Sequence, residues 1–291
     1  MAKFMLISPT VRRLVSEADE QLGYSLIEKF RASEAEYSEY ARIAFLVNCL
    51  ALAEWSGETF GVVPGTCAGP SFGGTAAAVF SGSLSFPDAV VMTSRWSHRV
   101  DSYFATRHGD VVSQSLARTP AGLLAEVLAE LDGRGEWHDL ACHVDDDFHI
   151  VSLREEALDW FRDRVRAGGG MPLYTMRPPM HSRIFQPLRE EIEEEVFGGL
   201  AFGDPVVPIV SDHDGSLLTT AAEVRTMLLD GIVRPVEWPT VVGTLKARGT
   251  KKIYVFGPDS LWGRVPCTTQ NFEVVAVKPE TAMRPRPRHT S

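Results

Sequence analysis

Two overlapping short motifs in a glycine-rich turn could each present a nucleophile. Residues 65–69 read Gly-Thr-Cys-Ala-Gly and centre on Cys67, whereas residues 69–73 read Gly-Pro-Ser-Phe-Gly and centre on Ser71. A G-x-S-x-G turn between a strand and a helix exposes its central side chain, and the backbone N–H that follows can stabilise an oxyanion. The pattern therefore indicates acyl chemistry, with an ordinary glycine-rich turn as the alternative.

The segments around this turn are typical of an α/β protein. Apolar residues recur at helical spacing over residues 11–55, and residues 59–63 form a short apolar run bounded by Gly and Pro, which predicts a buried strand. Residues 74–80 predict a helix of small residues directly after the turn. Ser85 is the expected N-cap of the next helix.

Residues 110–177 carry a pattern of their own, in the order strand, helix, strand, strand, helix, strand. This βαββαβ order predicts a ferredoxin-like subdomain. We therefore expect an α/β fold in which an α/β-hydrolase-like large domain, residues 1–109 and 178–278, holds this subdomain as an insertion. Residues 279–291 are rich in proline and arginine and are expected to be a disordered tail.

The composition excludes several classes of protein. The chain has 291 residues, of which 44% are hydrophobic and 23% charged, and its formal net charge is −9. This acidic balance argues against a protein that binds nucleic acid or an anionic membrane surface as its main task. No apolar run approaches the ~20 residues of a membrane span. Four scattered cysteines without a CxxC pair are typical of a reducing cytoplasm.

A metal site is not expected from the histidines. His143 and His149 flank three aspartates at residues 145–147, and this cluster is adequately explained as a solvated hairpin tip. The sequence predicts neither a metal nor a cofactor.

The serine motif and the residues after it resemble the malonyl-CoA:acyl-carrier-protein acyltransferase family, which includes the acyltransferase domains of polyketide synthases. Residues 80–90, Phe-Ser-Gly-Ser-Leu-Ser-Phe-Pro-Asp-Ala-Val, are similar to the family's glycine and F-x-D-A pattern at the same distance from the serine. The ungapped match puts the nucleophile on Ser71. Cys67 is then a small apolar residue on the preceding strand.

Two later segments extend the resemblance. Residues 176–182, Met-Arg-Pro-Pro-Met-His-Ser, resemble the loop that leaves the small subdomain with the family's catalytic histidine, and this implies His181. Residues 235–238, Pro-Val-Glu-Trp, and residues 257–258, Gly-Pro, match the family's later elements. The resemblance spans residues from about 15 to about 265.

The resemblance implies a two-step acyl transfer. His181 would take the proton of Ser71, whose oxygen attacks an acyl-CoA thioester and forms an acyl-enzyme ester. The N–H of Phe72, at the start of a helix, would be one oxyanion donor. The family orients its histidine with a backbone carbonyl near the position that matches Gly231. No cofactor is implied beyond acyl-CoA as substrate.

The sequence departs from the family near its start. The family opens with a strand and an F-P-G-Q-G-S-Q loop that donates a second backbone N–H to the oxyanion. Here residues 4–9 are a candidate for the strand, and the glutamine loop is absent. Loss of one oxyanion donor typically slows a reaction ~10²–10³-fold, so we expect slow or altered chemistry.

The substrate-contact positions differ as well. Malonyl-type members carry an arginine on the helix after the D-A pair, which pairs with the substrate carboxylate. The ungapped match puts Trp96 there, whereas a one-residue deletion would put Arg95 there; neighbours on a helix point about 100° apart, so only one faces the pocket. Pro179 and Met180, just before His181, match neither the malonyl-type nor the methylmalonyl-type tetrapeptide. The simpler match favours Trp96 and a non-carboxylated acyl group.

The sequence thus predicts an acyltransferase that moves an acyl group from acyl-CoA to an acyl-carrier-protein thiol or to a hydroxyl of a natural-product scaffold, in polyketide or depsipeptide antibiotic biosynthesis. Three alternatives stay open. They are a malonyl-CoA:acyl-carrier-protein transacylase that uses Arg95, a hydrolase that removes stalled acyl groups, and a non-catalytic scaffold or binding subunit. The intact pair of Ser71 and His181 weighs against the scaffold.

Overall fold

A computed structural model describes residues 1–33, 35, 37–258 and 261–283. The helices are α1 (Ala2–Ile7), α2 (Pro9–Leu22), α3 (Leu26–Ala32), α4 (Glu39–Phe60), α5 (Gly73–Phe80), α6 (Phe86–Thr106), α7 (Ala121–Gly133), α8 (Leu158–Ala167), α9 (Gln186–Glu195), α10 (Ala221–Asp230), α11 (Trp238–Ala247), α12 (Pro266–Thr269) and α13 (Pro279–Ala282). The strands are β1 (Val111–Ala117), β2 (His138–Asp145), β3 (Phe148–Arg154), β4 (Met171–Met176), β5 (Ile209–Val210), β6 (Leu217–Leu218), β7 (Val236–Glu237), β8 (Lys252–Phe256) and β9 (Glu273–Val277).

The inserted subdomain has the predicted order of elements, from β1 through α7, β2, β3 and α8 to β4. β3 pairs antiparallel with β1 and β2, and β4 pairs antiparallel with β1, so the order across the sheet is β4-β1-β3-β2. α7 and α8 share a buried apolar core with this sheet, which includes Leu116, Leu124, Leu131, Leu153 and Phe161. The predicted fold class, with its ferredoxin-like insertion, is confirmed.

One short strand joins the two domains. β7 follows α10 in the large domain, and it pairs in parallel with β2 of the subdomain, Cys142 opposite Val236 and His143 opposite Glu237. The subdomain sheet therefore has a fifth strand that comes from the large domain. This pairing holds the backbone just before β7 against the subdomain, where it becomes part of the candidate site.

The large domain is built around α4. This helix is apolar on nearly all sides and contacts α2, α3, α5 and α6, which explains why buried residues occur all along it. Parallel pairing is confined to short stretches: β8 pairs with β9, and Cys67 forms an isolated parallel bridge with Ile209. None of the helices in the described ranges is long and apolar enough to cross a membrane.

Two predicted strands of the large domain are wrong. Residues 4–9 lie in α1 and at the start of α2, with Phe4 and Met5 buried in the main core. Residues 59–63 contain the last turn of α4 and a loop in which Val63 is 91% exposed. α4 continues to Phe60, and Gly61 caps it with a φ of 63°, which is easy for glycine. Short apolar runs fit a helix or a strand equally well, and tertiary neighbours decide between them.

The tail prediction is wrong for its first residues. Residues 279–282 form α13, and Pro279 is buried. Met283 caps this helix. The rest of the predicted tail, residues 284–291, lies outside the described residues.

Candidate active site

The turn around Ser71 is held between a strand-like segment and α5. Cys67 pairs with Ile209 on one side, and α5 begins at Gly73 on the other. Ser71 has a φ of 52°, a left-handed conformation that non-glycine residues adopt rarely and mainly at functional turns. Gly69 permits this close turn, since a Cβ there would lie 2.1 Å from the carbonyl oxygen of Gly73.

The hydroxyl of Ser71 meets the ring of His181. Ser71 Oγ and His181 Nε2 are 2.9 Å apart, and His181 Nδ1 lies 3.1 Å from the carbonyl oxygen of Arg234. A carbonyl oxygen only accepts, so Nδ1 carries the hydrogen and Nε2 is left to accept the serine proton. His181 also has a left-handed φ, 63°.

The carbonyl predicted at Gly231 is corrected to that of Arg234. Gly231 ends α10, and its N–H donates to the carbonyl of Met227, although Gly231 does line the same cavity as His181. After the helix, the carbonyl of Asp230 accepts the N–H groups of Val233 and Arg234, and these turns lead the chain to Arg234. β7 begins two residues later, so its pairing with β2 holds the carbonyl that meets the histidine.

The residue after His181 anchors its loop to both domains. The Ser182 hydroxyl donates to Asp139 on β2 at 2.7 Å, and the Ser182 N–H donates to the carbonyl of Ile232 at 3.1 Å. Ser182 is 1% exposed. The histidine is therefore positioned by the subdomain sheet on one side and by the segment after α10 on the other.

Asp212 is a component of the site that the motif analysis missed. Its Oδ2 accepts the backbone N–H of Ser71 at 2.8 Å, and its Oδ1 lies 3.4 Å from His213 Nε2. Both Asp212 and His213 are buried. The reason appears only in the fold: Ser71 and Asp212 each follow a segment of the parallel Cys67–Ile209 bridge, and side chains at the carboxyl ends of parallel strands meet.

Burial and two neighbours set the basicity of His181. Burial lowers the pKa of His181 to about 4, the charge of Asp212 opposes this lowering, and His213 adds to it. Loss of hydration disfavours the imidazolium, whereas a nearby carboxylate favours it. The ring is therefore neutral near pH 7 and ready to accept a proton at Nε2.

The N–H of Phe72 is available for an oxyanion. Phe72 stands at the N-cap of α5, where backbone N–H groups have no partner within the helix, and the described residues offer it no other acceptor. Its ring is 42% exposed and stacks on Tyr37, with 5.7 Å between the ring centroids. Because residues 4–9 form no strand beside the turn, we assign no second donor.

Ser71 and His181 open into a cavity of about 880 Å³. Trp96 and Met180 line it, and Trp96 packs edge to face on Phe197 at 5.6 Å. Arg95 is exposed and lies outside the lining. The helix therefore turns its indole toward the cavity and its guanidinium away from it.

Two prolines precede His181, and Pro178 rather than the predicted Pro179 lies at the cavity. Pro178 lines the cavity, whereas Pro179, for which a substrate contact was predicted, is buried outside the lining. Two successive prolines project in different directions, and the chain direction after β4 decides which of them faces the site.

The cysteine of the overlapping motif lines the same cavity but is a poor nucleophile. Burial raises the pKa of Cys67 to about 12. The thiolate is the reactive form of cysteine, so this thiol is inert near pH 7. The hydroxyl of Ser71, paired with His181, is the better candidate.

The histidine pair of the subdomain lies apart from this cavity. His143 and His149 stack with 5.2 Å between their ring centroids, and His143 contacts Glu237 at 3.1 Å. His149 is 3% exposed, so the expectation of a solvated hairpin tip is wrong for this residue. Among the described residues, no group of three or more His, Cys, Asp or Glu side chains is arranged to hold a metal ion.

Comparisons with known proteins found similar sequences and similar folds. A family model described as the VinK acyltransferase small domain matches residues 115–176. The malonyl CoA-acyl carrier protein transacylase of Bacillus subtilis (strain 168) is 27% identical over 281 residues, which cover 94% of this chain and 87% of that protein.

Two solved structures share the fold. A malonyl-transacylase in complex with its type II polyketide synthase acyl-carrier protein superposes with a TM-score of 0.83 at 20% identity, over 96% of this chain and 91% of that one. The acyltransferase domain from the second module of the salinomycin polyketide synthase gives 0.76 at 22% identity, over 97% and 67%. Together with the sequence relatives, these likenesses lead to one conclusion: this chain is similar in sequence and fold to the malonyl-CoA:acyl-carrier-protein acyltransferase family, which supports an acyltransferase of the transacylase and polyketide-synthase type.

Proposed function

We propose that Ser71 carries the acyl group as an ester during transfer. The observation that supports this most directly is the 2.9 Å contact between Ser71 Oγ and His181 Nε2, with Nδ1 held by the Arg234 carbonyl. A hydroxyl is a weak nucleophile at neutral pH, and a base at hydrogen-bonding distance activates it. The lowered pKa of His181 keeps this base unprotonated.

In the first half-reaction, Nε2 takes the Ser71 proton while Oγ attacks the thioester carbonyl carbon. The N–H of Phe72 stabilises the negative oxygen of the tetrahedral intermediate. The intermediate collapses by breaking the carbon–sulfur bond, and the departing thiolate receives the proton from His181. The products are a serine ester and a free thiol.

In the second half-reaction, the acceptor takes the place of that thiol. His181 removes the acceptor's proton, the acceptor attacks the serine ester, and Ser71 leaves with the proton returned by His181. Water would complete the same step as hydrolysis, so the choice between transfer and hydrolysis depends on access to the acyl-enzyme.

We propose acyl-CoA as donor and a non-carboxylated acyl group as cargo. Trp96 supports this choice, since an indole lines the cavity and Arg95 points outward. An acyl-carrier-protein thiol is the first candidate acceptor, because a malonyl-transacylase of the same fold is known in complex with its carrier protein. A hydroxyl of a natural-product scaffold, in polyketide or depsipeptide antibiotic biosynthesis, is the second.

The decisive experiment measures intact-protein mass after brief incubation with acetyl-, butyryl-, hexanoyl- and malonyl-CoA. We expect adducts of the neutral acyl groups in the wild type and in Cys67→Ala, and none in Ser71→Ala. An adduct from malonyl-CoA alone would support a malonyl transacylase instead. If the protein formed no adduct and hydrolysed no thioester, the result would contradict the enzymatic proposal and favour a binding subunit.

The acceptor follows from the fate of the purified acyl-enzyme. We expect holo acyl-carrier protein, which bears the phosphopantetheine thiol, to remove the acyl group faster than buffer does. The apo carrier protein, which lacks the thiol, is the matched control and should have no effect. Equal loss of the ester with holo carrier, apo carrier and buffer would identify a hydrolase.

A further inference from the structure

Arg42 places a positive charge on a wall of the candidate active-site cavity. It lies on α4, whose following residues are apolar, and it lines the cavity together with Ser71 and Trp96. A cation within an apolar helix that faces a cavity needs an explanation, because burial of a charge costs free energy unless the charge is paired.

The contacts of Arg42 with the described residues satisfy only part of its guanidinium. Nε donates to the carbonyl of Tyr37 at 3.1 Å, and Cζ lies 5.3 Å from the centroid of the Phe72 ring. A guanidinium has five N–H donors, so these contacts hold the group in place but satisfy only one donor. The ring beneath it belongs to the residue next to Ser71, which puts the charge beside the reacting end of the cavity.

Arg42 has no close counterion in the part of the chain that the structure describes. Among the described residues, no carboxylate oxygen lies within 4.0 Å of the Arg42 guanidinium. The charge of Asp101 raises the pKa of Arg42, but it acts from beyond that distance. Burial lowers the pKa of Arg42. Every other half-buried arginine of the described chain does have a carboxylate within 4.0 Å, namely Arg99, Arg154, Arg162, Arg164, Arg189, Arg225 and Arg234.

We propose that Arg42 binds an anionic group of the thioester substrate, and this inference rests on the proposed function. A guanidinium recognises carboxylate and phosphate oxygens through paired hydrogen bonds, and a ring stacked against it fixes its plane. The anion has two possible sources: a carboxylate on the acyl group, or the phosphates of CoA and of the carrier's phosphopantetheine arm. Arg42 faces the cavity from α4, whereas Trp96 on α6 provides an apolar contact for the acyl chain.

Binding to a non-reactive background tests the proposal apart from catalysis. Dissociation constants are measured for Ser71→Ala and for Ser71→Ala combined with Arg42→Gln, Arg42→Lys or Arg12→Gln. The probes are butyryl and succinyl thioesters, equal in carbon number, each on CoA and on N-acetylcysteamine, which has no phosphate. Arg12 is exposed on α2 and serves as the matched control.

We expect Arg42→Gln to weaken binding about 10- to 100-fold for every probe that carries the recognised anion, and Arg42→Lys to recover part of the loss. A loss confined to the CoA thioesters identifies phosphate, and a loss confined to the succinyl thioesters on both carriers identifies a carboxylate. Both results support the proposal, and the second would also revise the acyl group proposed above.

No loss with any probe, or an equal loss with all four including butyryl-N-acetylcysteamine, would overturn the role of Arg42. A thermal melt of each variant shows whether an equal loss comes from unfolding. Absence of a Ser71 adduct in the wild type would refute the proposed acyl-enzyme without affecting these binding constants, so the two proposals fail separately.

Discussion

Two histidines in different domains, His181 and His149, show that the same lowering of the pKa has different consequences when the partners of the ring differ. Burial lowers the pKa of His181 in the cavity and of His149 in the subdomain sheet. His181 meets a hydroxyl at Nε2 and a carbonyl at Nδ1. Neither ring nitrogen of His149 makes a hydrogen bond of normal geometry within the described residues.

The surroundings of His149 disfavour protonation on balance. The neighbouring ring of His143 lowers the pKa further, while backbone groups of Thr119 and Asp146 and the charge of Asp147 act in the opposite direction without reversing the shift. At His181 the neutral ring is a usable base, because a proton donor lies on its free nitrogen. At His149 no reacting group of the described chain faces the ring, so the neutral state matters only for the stability of the fold. A lowered pKa indicates function when a reacting group faces the nitrogen.

Replacement of each histidine by alanine should separate the two roles. His181→Ala removes the base and should slow formation of the Ser71 ester about 10²- to 10⁴-fold, with a small change in stability. His149→Ala should leave ester formation within a few-fold of the wild type and lower the free energy of unfolding. Rates from quenched mass spectrometry and urea unfolding curves give both quantities. Similar rate losses in the two variants would break the distinction between the sites.

Asp212 should contribute both geometry and charge to His181. Asp212→Asn keeps an oxygen to accept the Ser71 N–H but loses the charge that raises the pKa of His181, so the acid limb of the rate profile should move to lower pH. We expect the plateau rate to fall about 10-fold, and a fall of about 100-fold in Asp212→Ala, which also loses the acceptor. An unshifted pH profile in Asp212→Asn would mean that Asp212 acts through structure alone.

The protein should lose stability in mild acid. Below the ordinary histidine pKa of 6.5, His149 and His181 bind protons in the unfolded chain but stay neutral in the folded protein, because folding lowers their pKa. Stability is therefore fully present above pH 6.5 and falls as the pH drops through it, by up to about 1.4 kcal/mol per pH unit for each histidine. Urea unfolding at pH 7.5 and at pH 5.5 should show a smaller difference in His149→Phe. An unchanged difference would contradict the buried neutral state of His149.

The smallest effect is expected at Cys67. Its protonated thiol takes no part in the proposed chemistry, so Cys67→Ala should change the rate of ester formation less than about 3-fold. Alkylation by iodoacetamide at pH 7 should likewise be slow at this residue. A large rate loss in Cys67→Ala would return the overlapping cysteine motif to consideration.

Local signals predicted the subdomain well. Its strands and helices follow one another in the predicted βαββαβ order, and β2 and β3 form a hairpin of chain neighbours. The predicted N-cap Ser85 is confirmed, since its Oγ accepts the N–H of Asp88 at 3.1 Å. Caps and periodicity depend on residues a few positions apart, and the sequence displays such distances directly.

Predictions for the large domain failed where distant chain segments decide the structure. Residues 4–9 and 59–63 are apolar enough for a strand, but they pack as helix or loop because no strand partner lies beside them in the described chain. Arg42 shows the same limit: one cation in an apolar helix is visible in the sequence, but which of the described carboxylates come near it depends on every other element around the cavity.

The sequence alone determined the nucleophile motif, the histidine loop, the inserted subdomain and the family resemblance, because each rests on residue types at fixed short spacing. Only the tertiary structure decided which atoms meet. It brought Asp212 to the N–H of Ser71 across 141 positions, replaced the Gly231 carbonyl with that of Arg234, and turned Trp96 rather than Arg95 toward the cavity. Hydrogen bonds and buried charges depend on ångström distances between remote segments, and packing sets those distances.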